Sequence, residues 1–237
     1  MIREARIFAN ADLMTSAIAE ETLRIAQDAV AKRGRCSVCL SGGNTPKALN
    51  EILAREYSAR IPWNQTHFFW GDERYVSHDN PHSNYLMAQE SLFSRLAVPP
   101  ENIHPMPTNY PEPDSAAREY EVELRRFFGA QPRFDLLFLG IGPEGHTASL
   151  FPNSPGLKET ERWVVAAEVP ADPPSRLTLT YPVINRARNI FFLASGGGKR
   201  EIIQAIRRDP GGAASQYPAA RVDAGRIVWF LDQAAAF

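Results

Sequence analysis

The stretch FDLLFLGIGPEGHTASLF, residues 134–151, decides the fold. Its first part, FDLLFL, is an apolar run interrupted only by Asp135, as expected for a strand buried on both faces. A glycine-flexed turn follows at once, with Gly140, Gly142 and Gly145 spaced as G-x-G-x-x-G. A buried strand that runs straight into such a turn belongs to an α/β sheet. In those sheets ligands sit beyond the carboxyl ends of the strands.

The same alternation extends outward in both directions. ARIFA (5–9), CSVCL (36–40), HFFW (67–70), RWVVAAEV (162–169), RLTLT (176–180), NIFFLAS (189–195) and RIVWFL (226–231) read as strands. Helical periodicity covers 12–33, 45–56, 84–96, 114–128 and 199–207, with Met14, Ile18, Ile25 and Ala29 on one stripe of the first. Strands alternating with helices predict a mainly parallel sheet covered on both faces. The 237 residues suffice for a single α/β domain, 1–237. The proline-dense stretch 99–113 reads as a surface loop, and DPGGAAS (209–215) as a flexible one.

Hydrophobic residues make up 44% of the chain and charged residues 22%, with a net charge of −1. That balance is globular and lacks the broad positive footprint of a nucleic-acid binder. A small anion remains within reach, because a few local Arg and Lys suffice for one phosphate. The opening MIREARIFANADLMTS has no apolar stretch of a secretory signal, and no run approaches a membrane span. The expectation is a cytoplasmic protein. The cysteines form C-S-V-C at Cys36 and Cys39. They read as small strand residues rather than a redox pair or half a zinc site, since strand residues three apart face opposite ways and no second C-x-x-C exists.

Every polar cluster of note follows a strand. Ser41-Gly-Gly-Asn-Thr-Pro46 combines two glycines for close backbone approach with Thr45 to cap a helix and Pro46 in its first turn. Free N–H groups there favour a phosphate, although the G-K-[ST] ending of a Walker A loop is missing. In WGDER, Asp72 can orient a reactant and Arg74 can fork onto a phosphate; a surface salt-bridge cluster is the competing reading. Ser195-Gly-Gly-Gly-Lys-Arg200 places Lys199 at a helix start, and Arg176 precedes LTLT; either cation could instead be a solvated charge.

The glycine turn itself does not read as a dinucleotide site. That fingerprint needs a long helix after the glycines and an acid at the next strand's end. Glu168 could serve as the acid, but Pro152, Asn153, Ser154, Pro155 and Gly156 stop any helix soon after Ala148. What remains is a carboxylate, Glu144, two residues before an imidazole, His146. A histidine's ordinary pKa of ~6.5 suits a general base at neutral pH, and a carboxylate can fix its tautomer. Gly142 and Gly145 could aim N–H groups at a developing oxyanion. A helix-capping His beside a solvated Glu is the plainer alternative. His78, His82 and His104 lack metal-ligand spacing, and His67 reads as structural; no metal site is expected.

LSGGNTP, FFWGDER with SNY at 83–85, GIGPEGHTASLFP, RLTLT, FFLASGGGKRE and RIVWFLD occur in the order found in 6-phosphogluconolactonases, which the chain resembles from about residue 3 to 235. These belong to the glucosamine/galactosamine-6-phosphate isomerase superfamily. The resemblance implies a three-layer α/β sandwich with a mainly parallel, Rossmann-like sheet, similar to glucosamine-6-phosphate deaminase. It implies hydrolysis of 6-phospho-D-glucono-1,5-lactone to 6-phosphogluconate, the second step of the oxidative pentose phosphate pathway, without a cofactor. By the same resemblance His146 matches the catalytic histidine, and Asp72 and Arg74 match the D-E-R site. Gly42, Gly43, Thr45, Gly142, Arg176 and Lys199 fall where substrate is held. Glu144 departs from the family's usual Asp by one methylene. The expected partner is a phosphorylated sugar lactone, with no nucleic acid or membrane, in a monomer or homodimer. A glucosamine-6-phosphate deaminase is the nearest alternative, but its I-A-F-N-E-P continuation is replaced here by Thr147-Ala148-Ser149-Leu150-Phe151-Pro152. A non-catalytic sugar-phosphate sensor is the alternative from another class.

Overall fold

The structure is a computed structural model that describes Ile2 and residues 4–236. The strands are β1 (Glu4–Phe8), β2 (Cys36–Leu40), β3 (Thr66–Trp70), β4 (Asp72–Arg74), β5 (Leu136–Leu139), β6 (Val164–Glu168), β7 (Ser175–Leu179), β8 (Asn189–Ala194) and β9 (Arg226–Asp232). The helices are α1 (Ala11–Arg33), α2 (Asn44–Glu56), α3 (Asn84–Ser91), α4 (Pro113–Phe128), α5 (Tyr181–Ile184), α6 (Arg200–Arg208) and α7 (Pro210–Gln216).

Six strands form one sheet in the order β1-β9-β8-β5-β2-β3, and every neighbouring pair is parallel. The expected mainly parallel sheet is thus present, with helices against it. Strand β5 is buried along its whole length, because the layers on both faces exclude water from an all-apolar segment. Helix α1 buries Met14, Ile18, Ile25 and Ala29. Asn10 opens it by accepting the Leu13 N–H, and Gly34 closes it in the left-handed conformation. Cys36 and Cys39 are buried on β2, and burial pushes both thiols well above their usual range. They are packing residues.

The strand order reverses between β2 and β5. After β2 the chain adds β3 outward on one side; after β5 it adds β8 and β9 on the other. The loops that leave β2 and β5 therefore diverge and open a crevice at the carboxyl ends of the strands. A second, antiparallel sheet, β4-β7-β6, stands beside this crevice. Gly71 joins the two sheets: its N–H donates to Leu40 O (3.0 Å), and its carbonyl accepts the Leu179 N–H (2.8 Å).

Two local expectations are corrected. GDER is not a loop, because β7 offers an open edge on which residues 72–74 pair as β4. Residues 210–216 form α7, because Asp209 accepts the Gly212 N–H and Pro210 occupies the first turn. Helix α3 ends at Ser91, and a 3-10 turn, Phe93–Arg95, completes the predicted 84–96 segment.

His67 on β3 lies 3.1 Å from His104 Nε2, and His104 Nδ1 meets Glu123 at 2.9 Å. Burial, then the neighbouring His104 and Arg35, lower the His67 pKa to about 4. Unfolding returns it to ~6.5, so the unfolded chain binds the extra proton between those values. Stability is expected to fall by about 1–2 kcal/mol between pH 7 and pH 5. Urea midpoints that stay constant over that interval would contradict the buried neutral pair.

Candidate active site

The crevice holds a cleft of about 210 Å³. The loop after β2 supplies Ser41, Gly42 and Gly43, strand β4 supplies Asp72 and Arg74, and α3 supplies Asn84. The loop after β5 supplies Gly140 to Pro143, His146 and Ala148, and Lys199 follows β8. Of the residues expected from sequence, His146, Asp72, Arg74, Gly42, Gly43, Gly142 and Lys199 line one cleft. Glu144, Thr45 and Arg176 are outside that lining, each next to a group described below.

His146 is held on three sides. Its Nδ1 lies 2.9 Å from Glu144 Oε1. Its ring stacks on Phe151, with centroids 4.0 Å apart and planes 14° from parallel. Gly142 presses on the ring edge: a Cβ there would stand 2.1 Å from Nδ1, so only glycine fits. With Nδ1 donating to the carboxylate, Nε2 is left as the acceptor nitrogen of a ring that lines the cleft. The longer Glu144 still reaches the imidazole. The N–H groups of Gly142 and Gly145 do not face an oxyanion, because they donate to His146 O (2.9 Å) and Gly142 O (3.0 Å) within the loop.

After His146 the chain makes a tight reversal in which Thr147 and Leu150 exchange backbone hydrogen bonds. Ala148 adopts φ +48°, which costs a residue with a Cβ roughly 1–2 kcal/mol. Contacts of the next residue offset that cost. The Ser149 hydroxyl donates to Asp72 Oδ2 at 2.7 Å, and its N–H donates to Thr178 Oγ1 at 3.2 Å. The reversal thus delivers a hydroxyl that fixes one oxygen of Asp72.

Glu73 points the other way and is 1% exposed. Its carboxylate accepts the N–H groups of Arg74 (2.7 Å), Asn84 (2.8 Å) and Tyr85 (2.8 Å) and the Ser83 hydroxyl (3.1 Å). Burial raises its pKa, while those N–H donors pull the other way. The carboxylate satisfies the open N-terminus of α3 and seats Asn84 against the cleft. Asn84 donates to Asp72 O (3.0 Å), and its Oδ1 packs where a Gly42 side chain would be.

Arg74 and Arg176 are direct cross-strand partners on β4 and β7. Arg176 is 6% exposed, makes no ion pair among the described residues, and has a buried Nε without a partner. Burial and the like charge of Arg74 lower its pKa, against the pull of Asp72, Glu73 and Asp172. Two adjacent guanidinium groups, one desolvated and unpaired, form a strong anion attractor. The Thr45 hydroxyl is spent on Ser195 (2.8 Å), tying the loop after β2 to the loop after β8. It does not cap α2, whose cap is Gly43 at φ +106°. No described side chain caps α2, so the N–H groups of Asn44 and Thr45 have no side-chain acceptor there.

Sequence reading missed Asn84, Ser149 and Phe151 as site residues. All three lie in the motifs SNY and GHTASLFP, and their roles depend on which loop faces which.

An oriented imidazole and a cationic anion pocket at the switch point of a parallel sheet define a class: α/β proteins that handle small anionic ligands. The chain belongs to the family of glucosamine-6-phosphate isomerases and 6-phosphogluconolactonases, whose sequence profile matches residues 9–229. A 6-phosphogluconolactonase of Synechocystis sp. is 45% identical, covering 94% of this chain and 92% of that one. The structure of 6-phosphogluconolactonase from Thermotoga maritima superposes with a TM-score of 0.85 at 31% identity, over 97% of this chain and 99% of that one. A monomeric glucosamine-6-phosphate deaminase shares the fold, with a TM-score of 0.80 at 20% identity over 98% of each chain.

Glu73→Gln keeps the shape but turns one acceptor into an amide donor facing N–H groups. It is expected to cost about 2–4 kcal/mol in urea unfolding. A loss below ~0.5 kcal/mol would remove Glu73 as the organiser of α3.

Proposed function

We propose that the chain hydrolyses 6-phospho-D-glucono-1,5-lactone to 6-phosphogluconate, as a single domain in which His146 is the general base. Its lactonase relatives place it among enzymes that open a lactone. The observation that carries the mechanism is the clamped imidazole: Glu144 on Nδ1, Phe151 on one face, and Nε2 free beside a cationic pocket.

The phosphate binds Arg74, Arg176, Lys199 and the open N–H groups at the start of α2. This contact is remote from the reacting carbon and uses binding energy to position the lactone carbonyl. Asp72, with one oxygen held by Ser149, orients the sugar through a ring hydroxyl. Nε2 of His146 takes a proton from water as the water oxygen attacks C1. The tetrahedral intermediate collapses, the bond from C1 to the ring oxygen breaks, and His146 returns the proton to that oxygen. Glu144 stabilises the imidazolium between the two transfers. A lactone is an activated ester, so general-base catalysis worth roughly 10²–10⁴-fold is enough.

The deaminase alternative is disfavoured by sequence: Thr147 to Pro152 replace the segment that carries the extra glutamate in that branch. Ammonia release from glucosamine 6-phosphate would reverse this choice.

With freshly made 6-phosphogluconolactone, coupled to 6-phosphogluconate dehydrogenase and corrected for spontaneous hydrolysis, His146→Ala is expected to lower kcat by about 10²–10⁴-fold. Near-parental turnover would exclude His146 as the base. Arg176→Ala is expected to raise KM by about tenfold or more with a smaller change in kcat. An unchanged KM would move the phosphate elsewhere.

A further inference from the structure

A second, larger cavity of about 530 Å³ lies behind the loop that carries His146. Its size falls in the range of small-molecule sites, roughly 300–1,000 Å³. The lactonase mechanism makes no use of it. One wall is the segment Pro152–Lys158, and the other is the stretch from α7 to the 3-10 turn Pro218–Arg221.

Its chemistry is one-sided. Lys158 and Arg221 line it, and no carboxylate does. Arg221 is preset, with one nitrogen donating to Leu157 O (3.1 Å) and the guanidinium over the Tyr181 ring at 4.8 Å. Amide and hydroxyl groups of Asn153, Ser215, Gln216 and Tyr217 make up much of the rest. Cations without a matching acid select an anion, and neutral donors and acceptors select hydroxyl groups.

The cavity and the catalytic loop share a wall. The Tyr217 ring packs on Gly145 so closely that a Cβ there would stand 2.7 Å from it. The Ala219 N–H also donates to Gly145 O at 2.9 Å. His146 is the next residue.

We propose that this cavity binds a second polyhydroxylated anion, a phosphorylated or carboxylated sugar, and that its occupancy is felt at His146 through Tyr217 and Gly145. The anionic group sits at Lys158 and Arg221, and the hydroxyls meet Asn153, Gln216 and Tyr217. Such a ligand biases the catalytic loop only to the extent that it binds one loop position better than another.

Isothermal titration of the intact protein with 6-phosphogluconate is expected to show two binding events. Lys158→Glu, at an exposed position, should weaken one by about tenfold or more and leave the rate without added ligand unchanged. The Arg176→Ala, Lys199→Ala double variant should keep that same event and weaken the other. Glucose 6-phosphate and gluconate, run in parallel, separate phosphate from carboxylate recognition. His146 imidazole resonances should shift as the retained event saturates in the double variant. A single event in the parent, or two events both indifferent to Lys158→Glu, would overturn the site. Binding without a shift at His146 would overturn the coupling. Neither readout requires lactonase turnover, so failure of the catalytic assignment would appear separately, in the rate of the parent protein.

Discussion

A carboxylate with almost no access to water holds the binding cleft together. Glu73 gathers three backbone N–H groups and a hydroxyl, and in doing so fixes β4 against the start of α3. Burying a charge is expensive unless its oxygens are satisfied, so this arrangement tolerates little variation. Strand alternation then does the rest. With Glu73 turned inward, Asp72 and Arg74 face the opposite side, toward the crevice. Asn84, at the start of the helix that Glu73 organises, closes on Gly42 and completes the wall.

The cleft lining sets two cations, Arg74 and Lys199, against one carboxylate, Asp72. Arg176, the cross-strand partner of Arg74, has no ion-pair partner among the described residues. The carboxylate in hydrogen-bond contact with His146 is that of Glu144. Cations beside an oriented imidazole suit a substrate that carries both an anionic group and a reacting carbonyl. The unpaired arginine is costly in the free protein and becomes favourable when an anion arrives. Geometry around His146 follows the same economy: Glu144, Phe151 and Gly142 leave the ring one accessible nitrogen and little rotational freedom.

Much of this was legible in the sequence because short-range rules govern it. Apolar runs followed by glycine turns marked strands such as β5, and the apolar stripe of α1 was readable from Met14 to Ala29. His146, Asp72, Arg74 and Lys199 were identifiable because each follows a strand of the parallel sheet. What could not be read depends on pairing between distant segments. GDER looked like a charged loop because nothing local announces the β7 edge on which it pairs. Glu73 carries no local signal of its role because its partners, Ser83 to Tyr85, meet it only in the fold. DPGGAAS looked flexible because its glycines masked an Asp209 cap and a proline suited to a first turn. Thr45 was expected to cap α2, but its hydroxyl finds Ser195, 150 residues away.

The relation between the two ends of the cleft is the central claim, and a crystal structure with 6-phosphogluconate bound would test it most directly. The phosphate is expected on Arg74, Arg176 and Lys199, with the sugar spanning Asp72. The C1 carboxylate should lie within hydrogen-bond reach of His146 Nε2, roughly 2.6–3.2 Å. A product bound in the reverse sense, or with C1 remote from His146, would contradict both the anion pocket and the general base.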